Sequence, residues 1–170
     1  MKPSDMIMAQ GTALFMSLSL LTALTKYYEL VEMATINPAI VAPSGLDFVP
    51  GPGEDLESMI WVITYAIMLH HLGSLQGSLK ARYQEHVVEH FYGSLSYSGL
   101  AEKRNTMVSY ATNMLRHEPE DWIPDPAPRE WFRHAMALVK GQTDVPLGGS
   151  IEPITFDAFD ALCDQFITDE

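Results

Sequence analysis

Cysteine is nearly missing from this 170-residue chain: Cys163 stands alone. One thiol cannot close an intrachain disulfide, so a packed core has to hold the fold. A reducing compartment, cytosol or nucleus, is expected. Basic residues are also few. Ten Lys and Arg stand against 22 Asp and Glu, a formal net charge of −12. Acid of that size repels phosphate backbones and anionic membrane surfaces, so neither nucleic acid nor a membrane is expected as a partner. The apolar run from Met59 to Leu69 is closed by His70 and His71 and then by Gly73. It has about half of the ~20 residues that a bilayer span needs, which favours a helix buried in protein. The first residues, MKPSDMIMAQ, precede an apolar stretch from Ala13 to Leu24. Asp5 is misplaced for a signal peptide, and Ser17, Ser19 and Thr22 dilute the apolar region, so no secretion signal is expected. Gly51-Pro52-Gly53 contains a proline and lacks a following Lys-Ser/Thr, so it is no phosphate loop, and no G-x-S-x-G elbow occurs. Neither an internal repeat nor a low-complexity tract is visible.

What is present is ordinary globular material, 47% hydrophobic and 19% charged. The length suits one domain over residues 1–170 with a real core. Residues 1–10 are expected to be flexible. Helical periodicity dominates, so the fold class is mainly α, a helical bundle. From Leu18 to Met33, Leu20, Leu21, Leu24, Tyr28 and Val31 recur at helix spacing. A long loop over 34–53 follows, containing INPAIVAPSGLDFVPGPG. The next helix is expected over about 54–71, with Glu54 and Asp55 at its positive end. It is apolar on every side after the first turn and should therefore be surrounded. Leu79, Tyr83, Val87 and Phe91 form one stripe; Met107, Val108, Ala111 and Leu115 form another. Pro128 reads as a helix entry and Gly141 as its stop, with Trp131, Phe132, Ala135, Leu138 and Val139 buried. Thr155 reads as the N-cap of a last helix. Phe156, Phe159, Leu162, Cys163 and Phe166 line its inner side, and Asp157, Asp160 and Asp164 its outer side. Only ITF and the DFV of 47–49 could be short extended pieces.

Few residues suggest chemistry. His86-Val87-Val88-Glu89-His90 has the H-x-x-E-H order of inverted zinc peptidases. His86 and His90, four apart on a helix, could share a metal, with Glu89 polarising a bound water. No third ligand is indicated, so zinc hydrolysis stands only as an alternative. His70 and His71 are adjacent and point about 100° apart on a helix, which suits a polar helix end better than one ion. Cys163 sits on an apolar stripe and reads as a structural thiol. The methionines are dispersed and read as core filler. No cofactor is expected.

Two segments carry a family resemblance. Gly11-Thr12-Ala13-Leu14-Phe15-Met16-Ser17-Leu18-Ser19-Leu20-Leu21, followed by Glu54-Asp55-Leu56-Glu57-Ser58-Met59-Ile60-Trp61-Val62-Ile63, resembles the end of the activation segment and the head of the central helix of protein kinases. It is most similar to the fungal-type protein kinase family, and casein-kinase-type enzymes have a comparable D-L-E-S. The resemblance extends over about residues 10–168 and is specific near 11–21 and 54–65. It implies the C-terminal lobe of a kinase. Gly11, Thr12, Asp55, Glu57 and Ser58 then occupy kinase-like structural positions. Thr12 would bond the catalytic loop, and Asp55 would hold that loop's backbone. The chain departs from the pattern at Ile60, where glycine is usual, and at Phe15-Met16-Ser17, which replaces Ala-Pro-Glu. Phosphoryl transfer also needs a Gly-rich loop, a strand lysine, an H-R-D loop and a D-F-G aspartate. None is in this sequence, so no ATP binding by this chain alone is expected.

The resemblance therefore implies a non-catalytic, pseudokinase-type lobe that works by binding protein or by self-association. A fragment or trans-complementing half of a fungal-type Ser/Thr kinase is the alternative. Without the elements that cover the central helix in a kinase, apolar surface should stay open near Leu20, Leu21, Leu24, Trp61 and Tyr65, for a protein partner or a second copy.

Overall fold

The computed structural model describes residues 15–89, 93, 96–113, 122–143 and 152–167. Among them it is a bundle of α-helices with no strand: Asp47–Val49 is loop, and of ITF only Ile154 and Thr155 are loop, since Phe156 opens the last helix. Ser17 begins the first helix. Its hydroxyl accepts from the Leu20 N–H at 3.2 Å, satisfying one of the donors that a helix start leaves open. Helix α1 then runs Leu18–Ile36 and ends at Asn37, whose N–H donates to the Met33 carbonyl at 2.8 Å. The Asn37 side chain turns the chain by accepting from the Ala39 N–H at 3.0 Å. The loop reaches α2, Pro52–Ser74. This helix starts two residues before Glu54 because proline suits the first helical position, where its missing N–H is no loss. The Glu54 carboxylate accepts from the Gly51 N–H at 2.8 Å and closes the start.

Helix α2 runs through His71 and Gly73, and Gly77, at φ 58°, lets the chain turn into α3, Gly77–Tyr83. The expected stripe from Leu79 through Val87 is broken here. The segment Gln84–Glu89 is a π-helical turn, so both Val87 and Val88 face inward with Tyr83, while Leu79 stays 62% exposed. Phe91 and Leu115 lie outside the described residues. Helix α4, Tyr97–Thr112, is capped by Ser96, whose hydroxyl accepts from the Gly99 N–H at 3.1 Å. Helix α5 spans Pro126–Thr143, so it starts before Pro128 and does not stop at Gly141. Its last turn is kept because Gln142, one residue on, is buried and bonded. Helix α6, Phe156–Ile167, has the expected cap: Thr155 Oγ1 accepts from the Ala158 N–H at 3.2 Å. Phe159 and Leu162 are buried and Asp157, Asp160 and Asp164 are exposed. Phe156, at the helix's first position, faces water instead of the core.

Helix α5 is the centre of the bundle and packs on α2, α4 and α6. The main core gathers Ile60, Trp61 and Met68 of α2, Met107 of α4 and Phe132, Ala135, Met136 and Val139 of α5, all at most 1% exposed. A second, smaller cluster joins Leu18 and Leu21 of α1 to Leu100 and Ala101 of α4. Helix α2 is not enclosed on every side. Met59, Val62 and Leu69 form an open stripe, exposed by 50%, 45% and 39%. Among the described residues no helix is long and apolar enough to cross a membrane.

Candidate functional site

The most constrained polar group is Glu57, which the α2 register turns inward beside Ile60, Trp61 and Thr64. It is 0% exposed. Its Oε1 accepts from the Leu18 N–H at 2.6 Å and from the Trp61 indole N–H at 2.9 Å. Its Oε2 accepts from the Gln142 amide at 2.8 Å. Gln142 Oε1 in turn accepts from the Ile154 N–H at 3.1 Å. The start of α1, the head of α2, the end of α5 and the strap before α6 are thus tied at one carboxylate. Arg104 of α4, 2% exposed, lies 4.6 Å over the Trp61 ring and supplies the compensating positive charge. Gly53 allows this closure: a Cβ there would meet Gln142 Oε1 at 2.7 Å.

Burial pushes the Glu57 carboxyl above its ordinary 4.5, while the Trp61 and Leu18 donors and the Arg104 charge pull it down. A raised acid favours its neutral form on folding. Its contribution is complete below pH 4.5 and is lost as pH rises through the folded value. We therefore expect the stability of wild type minus that of Glu57→Gln, from urea unfolding, to shrink as pH rises above 4.5. A gap that widens over that range would mean that the donors and Arg104 outweigh burial.

The positions expected from the sequence separate. Gly11 and Thr12 lie outside the described residues. Asp55 is exposed on the first turn of α2, and its carboxylate bonds no described residue. Ser58 donates to the Glu54 carbonyl at 2.8 Å, a bond within its own helix. Of the five apolar positions, Leu21 and Trp61 are fully buried and Leu20, Leu24 and Tyr65 half-buried. His86 is exposed on the π turn, whereas His90 lies outside the described residues. Among the described residues no three His, Cys, Asp or Glu side chains gather as for a metal. Cys163 is half-buried, and burial with Asp160 and Asp164 raises its thiol, the wrong direction for a nucleophile.

The open apolar surface lies further along the chain than Leu20–Leu24. Leu30, Met33 and Ile36, three apart on α1, are exposed by 45%, 51% and 77%. The loop that returns along α1 adds Val41 and Val49, at 89% and 91%, and Leu46 at 37%. Glu29, Glu32 and Asp47 are exposed around them, with Lys26 the one cation among the exposed charges of this segment. A lone exposed leucine means little, but six large apolar side chains lie open within 20 residues, and Leu30 of α1 and Leu46 of the loop line one cleft with Lys26 and Asp47. The signal was available: a helix whose apolar residues outnumber what one neighbour, α4, can cover.

Comparison with protein-family models, with curated proteins and with solved structures finds no match for this chain.

Proposed function

We propose that this chain is a non-catalytic protein-binding domain, similar to the C-terminal lobe of a kinase, that receives a basic amphipathic segment of a partner on the α1–loop face. The observation that carries this is the open Leu30, Met33 and Ile36 of α1, with Leu46 of the returning loop lining the same cleft as Leu30. Its rim selects the occupant. Glu29, Glu32 and Asp47 favour a partner with lysine or arginine beside its apolar residues, and a second copy of a chain at −12 brings like charge to the same rim. The bond from the Leu18 N–H to Glu57 joins the two segments on which the kinase likeness is drawn. A reducing cytosolic or nuclear setting goes with the lone Cys163.

The test uses an amphipathic Leu/Lys helical peptide as the probe, titrated into the chain at low and high salt. Saturable binding is expected, with amide shifts at residues 28–49 and an affinity that falls with salt. The double change Leu30→Asp with Met33→Asp should weaken it by at least about tenfold. Light scattering is the second arm. A dimer that the same double change dissolves would place a second copy on this face instead, and a monomer that ignores the peptide would remove the proposal.

A further inference from the structure

In this acidic chain one cleft has the opposite sign. It holds about 470 Å³ between the end of α2 and the α3–π segment, and its charged or titratable lining is His71, Arg82, His86 and Tyr83. No acid is among its described lining residues. Leu79, Arg82, Tyr83, His86 and Val87 all line it across the junction of α3 and the π turn, which brings the guanidinium and an imidazole to the same wall. His71 faces them from α2, its ring 4.9 Å from that of Tyr83. Arg82 carries a permanent charge, and each imidazole keeps an N–H donor in either protonation state. The wall includes the π turn, a geometry that costs good hydrogen bonding and recurs mostly where function keeps it.

His71 also lines a second space. A trough of about 320 Å³ runs between α2 and the start of α5, walled by Val62, Ile63, Ala66, Ile67, Ile123 and Pro128. Its lining is almost wholly apolar apart from His70, His71 and Asp125. Asp125 belongs to the trough alone, so it repels an anionic head there and leaves the cleft as the place for one. Both spaces are of the size that holds a small ligand.

We propose that the cleft and trough together bind a small amphipathic anion, its carboxylate or phosphate head on Arg82, His71 and His86 and its hydrocarbon chain along Ile63, Ala66 and Ile67. The site is separate from the α1–loop face and does not depend on it. Octanoate and octyl phosphate, below micelle-forming concentrations, serve as probes for the two head groups, with octanol and octyltrimethylammonium as controls. Amide shifts on titration should move at residues 62–71, 79–88 and 122–128 and saturate at one equivalent. The more tightly bound of the two anions identifies the head. Arg82→Gln should weaken it about tenfold, as loss of a charge-assisted contact does. Ala66→Trp, which fills the trough, should weaken it while leaving Arg82 in place. Both positions are exposed, so neither change should disturb the core. Equal binding of octanol, unchanged affinity in Arg82→Gln, or shifts outside these segments would overturn the proposal.

Discussion

Glu57→Ala lowers the stability of this protein by about 3–5 kcal/mol, the range found when one partner of a buried charge network is removed. In a chain of this size that corresponds to a fall in melting temperature of roughly 6–20 °C. The loss comes less from the carboxylate itself than from what it leaves behind. The Leu18 N–H, the Trp61 indole and the Gln142 amide each lose their acceptor, and Arg104 keeps a buried charge over Trp61. Gln142 cannot rotate to compensate, because its oxygen is already held by the Ile154 N–H. Glu57→Gln has the same difficulty in milder form. Its amide nitrogen would meet either the Gln142 amide or the two donors on the other side, at a cost of about 1–3 kcal/mol. The decisive comparison removes the network as a whole. Glu57→Leu with Arg104→Met and Gln142→Leu leaves no orphaned group, and such replacements are often neutral or stabilising. Thermal and urea unfolding of Glu57→Ala and of the triple variant measure both. If Glu57→Ala unfolds with wild type, the network contributes specificity and not stability.

The same residues show what could be read in advance. Glu57 stands three, four and seven places before Ile60, Trp61 and Thr64. Arg104 stands three, four and seven before Met107, Val108 and Ala111. Gln142 stands three and seven after Val139 and Ala135. Each sits in register with the core face of its helix, and all are buried. Periodicity that places apolar residues inward places these with them, and a buried ion in register implies a partner in register elsewhere. By the same rule Asp55 falls in line with Met59, Val62 and Leu69, the open stripe. Asp55, expected from the kinase-like pattern to hold a loop, faces water, and Glu57, two residues later, ties the helix ends together. Helix existence and the mainly α class were equally legible. The π turn was not, because a wider turn leaves no mark in apolar spacing until its register has slipped. The open face was half legible: its presence followed from excess apolar residues on α1, but its position depended on how far α4 reaches.

Two truncations should separate the bundle into unequal parts. Phe132 is fully buried at the centre of α5 and meets Trp122 edge-on at 6.4 Å. Its neighbours come from several helices and cannot close around a void together, so Phe132→Ala should cost about 3–5 kcal/mol and lower the stability of the whole domain. Leu21 is equally buried, but in the small cluster that fixes α1 to α4. Leu21→Ala should cost about 2–5 kcal/mol at that contact. Much of this is expected as local release of α1, since the main core does not contain Leu21. Hydrogen exchange distinguishes the two. In Leu21→Ala the α1 amides should exchange faster while those of α5 keep most of their protection; in Phe132→Ala both should fall together. The parts are linked by α4, which carries residues of both clusters, by the Phe15–Tyr65 ring contact at 5.9 Å, and by the bond from Leu18 to Glu57, which ends at the node and not in the core. Because α1 carries Leu30, Met33 and Ile36, its release should also disperse the docking face, so Leu21→Ala should weaken the amphipathic peptide without touching any exposed residue. Equal loss of protection in α1 and α5 in that variant would show one cooperative unit, with α1 as much a part of the core as α5.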